Sequence, residues 1–156
     1  MSRVMRRLYS VNWLVLGVCY GVVASGRASQ PTGGLVVVVD DVRNNEGSVH
    51  VDICTEKNFL RNCLFSGEAK AVSGKTAVIV EGVPKGVYAA QVFHDENMNH
   101  KVDRGLFGIP KEGVGFSNDF KIGLRAPRFD EAAFHYAGGD QQVVVHLKYY
   151  LAQKAR

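Results

Sequence analysis

The sequence predicts an all-β protein: an antiparallel Greek-key β-sandwich of seven to eight short strands in one domain. Three observations carry this. Apolar residues alternate with a period of two, as in Val49, Val51 and Ile53 against His50, Asp52 and Cys54, the pattern of a half-buried strand. Clusters of Gly, Pro, Asn and Asp recur roughly every 8–12 residues, the rhythm of short strands and turns. No long segment repeats its apolar residues at the helical period, which excludes a helix-rich architecture.

The 156 residues make one domain's worth of chain, divided into a leader over 1–28 and a sandwich over 29–156. Arg3, Arg6 and Arg7 form a positive start, Trp13 to Ala24 carries no charge, and small residues at Ala24-Ser25-Gly26 and Ala28-Ser29 offer cleavage sites. These are the three parts of a secretory signal. A retained span needs about 20 apolar residues, so no integral membrane segment is expected after cleavage. Cys19 lacks the small preceding residue of a lipid-attachment signal, because Val18 stands there. The destination is the periplasm or the medium.

The leader also holds the excess of positive charge. The chain has 19 basic and 15 acidic residues; four of the basic ones (Arg3, Arg6, Arg7, Arg27) precede position 29, leaving 15 against 15. Without a basic surplus the domain has no electrostatic footprint for nucleic acid. Export gives Cys54 and Cys63 a meaning as well, since an even pair in an oxidising compartment closes a disulfide. The loop-entropy model puts its contribution at roughly 2.5–3 kcal/mol.

The elements follow in order. Leu35 to Val42 is a dense β-branched run short enough to be a buried strand, and Arg43-Asn44-Asn45-Glu46-Gly47 is turn chemistry. With the alternating Ser48 to Cys54 it reads as a hairpin. Thr55 to Phe65 breaks the alternation, with Phe59, Leu60 and Leu64 expected to cap the core. Glu68 to Val72 and Lys75 to Glu81 are the next strands. After Gly82-Val83-Pro84-Lys85-Gly86 comes Val87 to His94, apolar on both faces and hence a central strand. Phe116 to Ile122, Ala132 to Tyr136 and Gln141 to Leu151 complete the set.

The chain from His94 to Asp119 is different. It crowds His94, Asp95, Glu96, Asn97, Asn99, His100 and Asp103 together and then runs through Gly105, Gly108, Pro110, Gly113 and Gly115 to Ser117 and Asn118. Short polar side chains that bond nearby backbone and tolerate left-handed conformations build a shaped loop. The stretch Gly82 to Ala89, the run His94-Asp95-Glu96-Asn97 with Asn99 to Asp103, and Phe107 to Asn118 together resemble a bacterial family of exported proteins known as domain-of-unknown-function family 2141. The resemblance spans about Gly34 to Tyr150 and implies a transthyretin-like or immunoglobulin-like sandwich. It implies no activity. Relatives tend to read Asp-Glu-Asn-Gly-Asn-Gly-Lys-Leu-Asp in the loop, with glycine where Met98 and His100 stand here.

Three chemistries compete for the loop. Asp95, Asn97 and Asn99 fall at positions 1, 3 and 5 of a calcium loop, the Lys101 carbonyl at 7 and Asp103 at 9, with Glu112 available to close the shell. The same side chains form, without a metal, a network of Asx turns. His94 and His100 beside carboxylates suit a transition metal, although a histidine on an inward strand face is more often hydrogen-bonded core. Asp95, Glu96, Asp103 and Glu112 also offer the carboxylate pair of a hydrolase, but no nucleophile elbow or phosphate loop accompanies them. Aromatic residues, among them Phe107, Phe116, Tyr149 and Tyr150, suffice for a binding face or for the core. Tyr88, after its turn, resembles a corner-locking tyrosine. The combined expectation is an exported non-enzymatic module, possessing a calcium-competent Asp/Asn loop, that presents a surface to a protein or glycan partner. The alternative is a small secreted hydrolase using the loop carboxylates.

Overall fold

The computed structural model describes residues 33–120 and 125–151. It contains eight strands: β1 (Leu35–Val42), β2 (Ser48–Cys54), β3 (Phe65–Lys70), β4 (Gly74–Val80), β5 (Gly86–Asp95), β6 (Gly113–Phe116), β7 (Ala133–Tyr136) and β8 (Gln142–His146). A single helical turn, α1 (Phe129–Ala132), precedes β7. The leader read over 1–28 and the last two residues of the strand read over Phe116 to Ile122 lie outside the described residues.

The strands form two sheets. One has the order β4-β1-β8; the other runs β3-β2-β5 and then carries β6 and β7 in tandem along the free edge of β5. Val37, Val39, Val78, Val80 and Val145 of the first sheet meet Val49, Val51, Ile53, Ala90 and Val92 of the second in one core. Burying each such side chain stabilises by about 1.5–3 kcal/mol. β5 is central as expected, paired with β2 from Ala89 to Asp95 on one edge and with β7 and β6 on the other.

Several expectations are corrected, beginning with the strands. The sheets are not wholly antiparallel, because β1 pairs β8 in parallel from Val36–Gln142 to Asp40–His146. The near-continuous apolar run of β1 belongs to a strand flanked on both edges, and β4 and β8 occupy them. β1 and β2 are therefore not a hairpin: the Asn44–Gly47 turn carries the chain from one sheet to the other. Gly47, at φ 66°, is where it crosses, since a Cβ there would lie 1.8 Å from the Asp95 carbonyl oxygen. β8 stops at His146, after which Lys148 leaves β1 and bonds Val114 of β6 through both backbone groups, at 2.9 and 3.0 Å. The strand expected over Phe116 to Ile122 lies earlier, as β6, and Ser117–Asp119 is a 3-10 turn with Asn118 at φ 60°.

Gly113 and Gly115, expected in the loop, are strand residues. A Cβ on Gly113 would meet the Tyr149 ring at 2.4 Å, and one on Gly115 the His146 carbonyl at 2.8 Å. Strand glycines of this kind admit a close neighbour. Cys54 and Cys63 form the expected disulfide, with Cα atoms 4.8 Å apart. The loop it closes and the Leu64 that follows it do not cap the core: Leu60 and Leu64 are 44% and 73% exposed, and Phe59 packs edge-on against Phe116 and Phe129. Tyr136, not Tyr88, anchors a turn through its hydroxyl, which donates to the Gly139 carbonyl at 2.8 Å.

Candidate functional site

β5 delivers His94 and Asp95 to the start of the polar loop, and both are buried, at 0% and 1% exposure. His94 lies on the inward face with Tyr88, Ala90 and Val92, as the alternation requires. Its Nε2 donates to the Glu46 carbonyl at 2.7 Å, which only accepts, and its Nδ1 lies 2.8 Å from the Tyr149 hydroxyl. Tyr149 in turn accepts the Arg43 backbone N–H at 3.2 Å. Burial raises the Tyr149 hydroxyl to about 12, so it remains a donor. Both His94 nitrogens are engaged in packing the core, which removes His94 from any metal reading.

Asp95 organises the loop. One of its carboxylate oxygens accepts the Asn99 N–H at 3.1 Å and the other the His100 N–H at 2.6 Å. Asn97 Oδ1 accepts the Asn99 N–H at 3.2 Å and Asn99 Oδ1 the Lys101 N–H at 3.0 Å, two successive Asx turns. The amide nitrogens of Asn97 and Asn99 both donate to the Asp103 carboxylate, at 2.8 and 3.1 Å. Glu112 closes the ring from the start of β6 by accepting the Glu96 N–H at 3.2 Å and the Asp103 N–H at 2.9 Å. The loop turns sharply enough that Met98 and His100 adopt φ 60° and 57°. These are the positions where the resembling family tends to have glycine, which enters left-handed space without steric cost.

Glu96 faces the other way. Arg43 grips both its oxygens, with Nε to Oε1 at 2.7 Å, and Asn44 donates to Oε1 at 2.7 Å. The guanidinium carbon also stacks 4.4 Å from the Tyr149 ring centre. Burial penalises the Glu96 charge, but the bonds from Arg43 and Asn44 outweigh it and hold the carboxyl below its ordinary value. Glu112 shifts upward: burial comes first, backbone bonds from Asp103 and Glu96 oppose it, and the charges of Asp95 and Asp103 add to it.

Ser117 and Asn118 are also structural. The buried Ser117 hydroxyl donates to the Ala132 carbonyl and accepts the Ala90 N–H at 2.9 Å, while Asn118 donates to the Ala133 carbonyl at 2.8 Å. They fasten the end of β6 to β5 and β7. Gly108 and Pro110 belong to a separate tip. Arg104 and Pro110 form an antiparallel bridge, Gly105 N–H donates to the Ile109 carbonyl at 2.7 Å, and Gly108 N–H donates back to Gly105 at 3.2 Å. Phe107 sits on this tip at φ 58°.

Beside the tip lies a cleft of about 720 Å³ on the outer face of the larger sheet. Its floor includes Asp52, Gln91, Phe93 and Phe116, and its walls are the disulfide-closed loop, the tip, and Arg125 to Pro127. Gln91 ties the disulfide loop down, accepting the Leu60 N–H at 3.2 Å and donating to Asp52 at 3.0 Å. Arg61, Lys101 and Arg104 stand at the rim. Sequence reasoning named Phe107, Phe116 and Tyr150 as candidates for a binding face, but it named Lys101 only for its carbonyl and left Arg61 and Arg104 out. The usable signal was Leu106-Phe107-Gly108-Ile109, an apolar run inside a polar loop.

The structure thus brings Asp95, Asn97, Asn99, Asp103 and Glu112 into one hydrogen-bonded unit and leaves Lys101 at its edge. Among the described residues, no three His, Cys, Asp or Glu side chains gather as a metal-holding group. Together the fold and these two features define a small two-sheet β module with a self-bonded polar loop beside an open cleft. Residues 37–144 match the model of a family described as an uncharacterized protein conserved in bacteria, domain of unknown function 2141, and the chain belongs to that family. No curated protein matches the chain, and no solved structure matches it.

Proposed function

We propose that the chain is an exported, non-enzymatic binding module, with the cleft on the larger sheet as the surface offered to a protein or glycan partner. One observation carries this: a floor that sets Phe93 and Phe116 beside Asp52 and Gln91, with Arg61, Lys101 and Arg104 around it, in a cleft whose volume lies in the 300–1,000 Å³ range usual for ligand sites. The hydrolase alternative has no such support. Both oxygens of Asp95 and of Glu112 accept backbone N–H groups, and Glu96 is held by Arg43. A thermal-shift screen of glycans and peptides against the purified chain tests the reading. Ligands should raise the melting temperature as RT ln(1 + [L]/Kd) without being consumed; turnover abolished by Glu112→Gln in a still-folded protein would replace it with the hydrolase.

Calcium enters the proposal through charge. Asp95 and Glu112 are buried carboxylates with the half-buried Asp103 beside them, and among the described residues no cation lies within ion-pair distance of any of the three. Buried charges are ordinarily paired or bound to metal. The ion would use amide and carbonyl oxygens of Asn97, Asn99 and Lys101 beside the carboxylates, as calcium does. Calcium should raise the melting temperature relative to chelator, and Asp95→Ala should remove the rise; identical curves for the parent chain would retire the ion.

Export and a Greek-key connectivity belong to the same proposal. The Cys54–Cys63 disulfide supports an oxidising compartment. The placement of β1 with β4 in one sheet and β2 with β3 in the other supports strands that change sheets along the chain. Among the described residues no helix is long and apolar enough to cross a membrane.

A further inference from the structure

Phe107 carries two costs that nothing inside the molecule offsets. Its side chain is 91% exposed, and its backbone sits at φ 58°, a conformation that is an outlier for a bulky residue. Leu106 beside it is 77% exposed and Ile109 39%. The tip is stiff, because its backbone groups bond each other across the turn and the Arg104 guanidinium donates to the Gly108 carbonyl at 3.1 Å. A closed turn of this kind offers no free strand edge for another chain to extend. It offers apolar side chains on a turn whose Gly105, Gly108 and Ile109 N–H groups are already bonded within it, which lowers the cost of entering a hydrocarbon boundary.

Four cations stand around the tip. Arg104 is at its base, Lys101 and Arg61 are at the rim of the adjoining cleft, and the Lys111 side chain passes within 3.7 Å of a Cβ placed on Gly105. Among the described residues none of these four cations pairs with a carboxylate. The neighbouring acids are engaged: Asp103 by Asn97 and Asn99, Asp52 by His50 and Gln91, and Glu131 by Arg125. We infer that the Leu106–Ile109 tip docks the domain peripherally on an anionic lipid surface, Phe107 and Leu106 entering the interface while Arg104, Lys101, Arg61 and Lys111 meet the headgroups. Exposed apolar clusters mark such sites, and each basic residue near an anionic leaflet adds to the attraction. The fit is to a surface rather than to an acidic peptide, because Leu106 lies outside the cleft lining and Phe107, although part of it, is still 91% exposed.

The test is sedimentation of the chain, purified as the cell processes it, with vesicles of phosphatidylcholine alone or mixed with phosphatidylglycerol. Binding should appear with the mixed vesicles and weaken with salt. It should fall about tenfold or more in Phe107→Ser and in the pair Arg104→Glu with Lys101→Glu, while melting curves stay unchanged. The only tryptophan of the chain is Trp13 in the leader, so Phe107→Trp adds a reporter whose emission should shift to the blue on the mixed vesicles. Absence of binding, equal binding to uncharged vesicles, or binding untouched by Phe107→Ser overturns the inference. Retention on immobilised polyglutamate in place of vesicles overturns it in favour of an acidic protein partner. Phe107, Arg104 and Lys101 also line the cleft, so the thermal-shift screen for small ligands is read on the parent chain without vesicles, where its outcome is independent of lipid binding.

Discussion

The polar loop from Asp95 to Asp103 and the tip from Arg104 to Pro110 are consecutive in the chain and opposite in character. In the loop nearly every side chain that looks reactive has a structural partner: Asp95 and Glu112 hold backbone N–H groups, and both asparagines reach Asp103. In the tip the side chains that look like core, Leu106, Phe107 and Ile109, have solvent around them. Both segments contain left-handed residues other than glycine, at Met98 and His100 in the one and Phe107 in the other. The loop's geometry is accounted for by its own hydrogen bonds. The tip's exposure is not, and that is the more informative anomaly.

The contrast is broken most severely at Asp95. Replacing it by alanine leaves the His100 N–H without its acceptor and the Asn99 N–H with Asn97 Oδ1 alone, beside a buried strand end, and unmade bonds of this kind each cost about 1–3 kcal/mol. Asp95→Ala should lose about 3 kcal/mol in denaturant unfolding, reduced somewhat by relief of repulsion with Asp103 and Glu112. A loss under about 1 kcal/mol would mean that the loop does not depend on its first carboxylate.

Glu96 gives the next effect and fixes its sign with pH. Its folded pKa lies below the ordinary 4.5, so its contribution is present above that value and disappears as pH falls through the folded one. Glu96→Gln should cost about 2 kcal/mol near neutrality, because Arg43 loses its charge partner in a half-buried site. The gap between parent and variant should close on acidification below pH 4.5. A gap constant from neutral to strongly acidic pH would show that the pair contributes shape and not charge.

Met98 tests strain in the opposite direction. Glycine at a φ of 60° removes a left-handed cost of roughly 1–2 kcal/mol and returns part of it as backbone entropy. Met98→Gly should therefore stabilise by about 0.5–1 kcal/mol, a rise in denaturation midpoint at unchanged slope. A lower midpoint would mean that the half-exposed methionine side chain makes contacts worth more than the strain.

How much of this was legible depended on range. Alternation placed the inward residues of β2 and β5 correctly, because the face of a strand is a local property with period two. It also gave His94 its buried position. Partners were not legible: Asn44 to Gly47 signals a reversal, yet only the competition of β4 and β8 for the edges of β1 decides that β2 joins the other sheet. The Asx turns followed from spacing within six residues, whereas the closing role of Glu112 depends on β6 pairing with β5 and the Arg43 clasp on Glu96 reaches 53 positions along the chain. Gly113 and Gly115 looked like loop residues because the reason for them, Tyr149 and His146 pressing close, arrives from the far end of the sequence.

The smallest expected effect separates the two regions most cleanly. Phe107→Ser removes an aromatic ring that is 91% exposed, so folding has almost no burial to lose there; surface changes away from special contacts stay within about 0.5 kcal/mol. The left-handed backbone is no worse for serine than for phenylalanine, which leaves stability level or slightly improved. Chemical denaturation of Phe107→Ser beside Asp95→Ala should therefore give one curve that overlays the parent and one that does not. A Phe107→Ser loss near 2 kcal/mol would place the ring against apolar surface in solution, and the tip would then be ordinary core cover like the rest of the aromatic set.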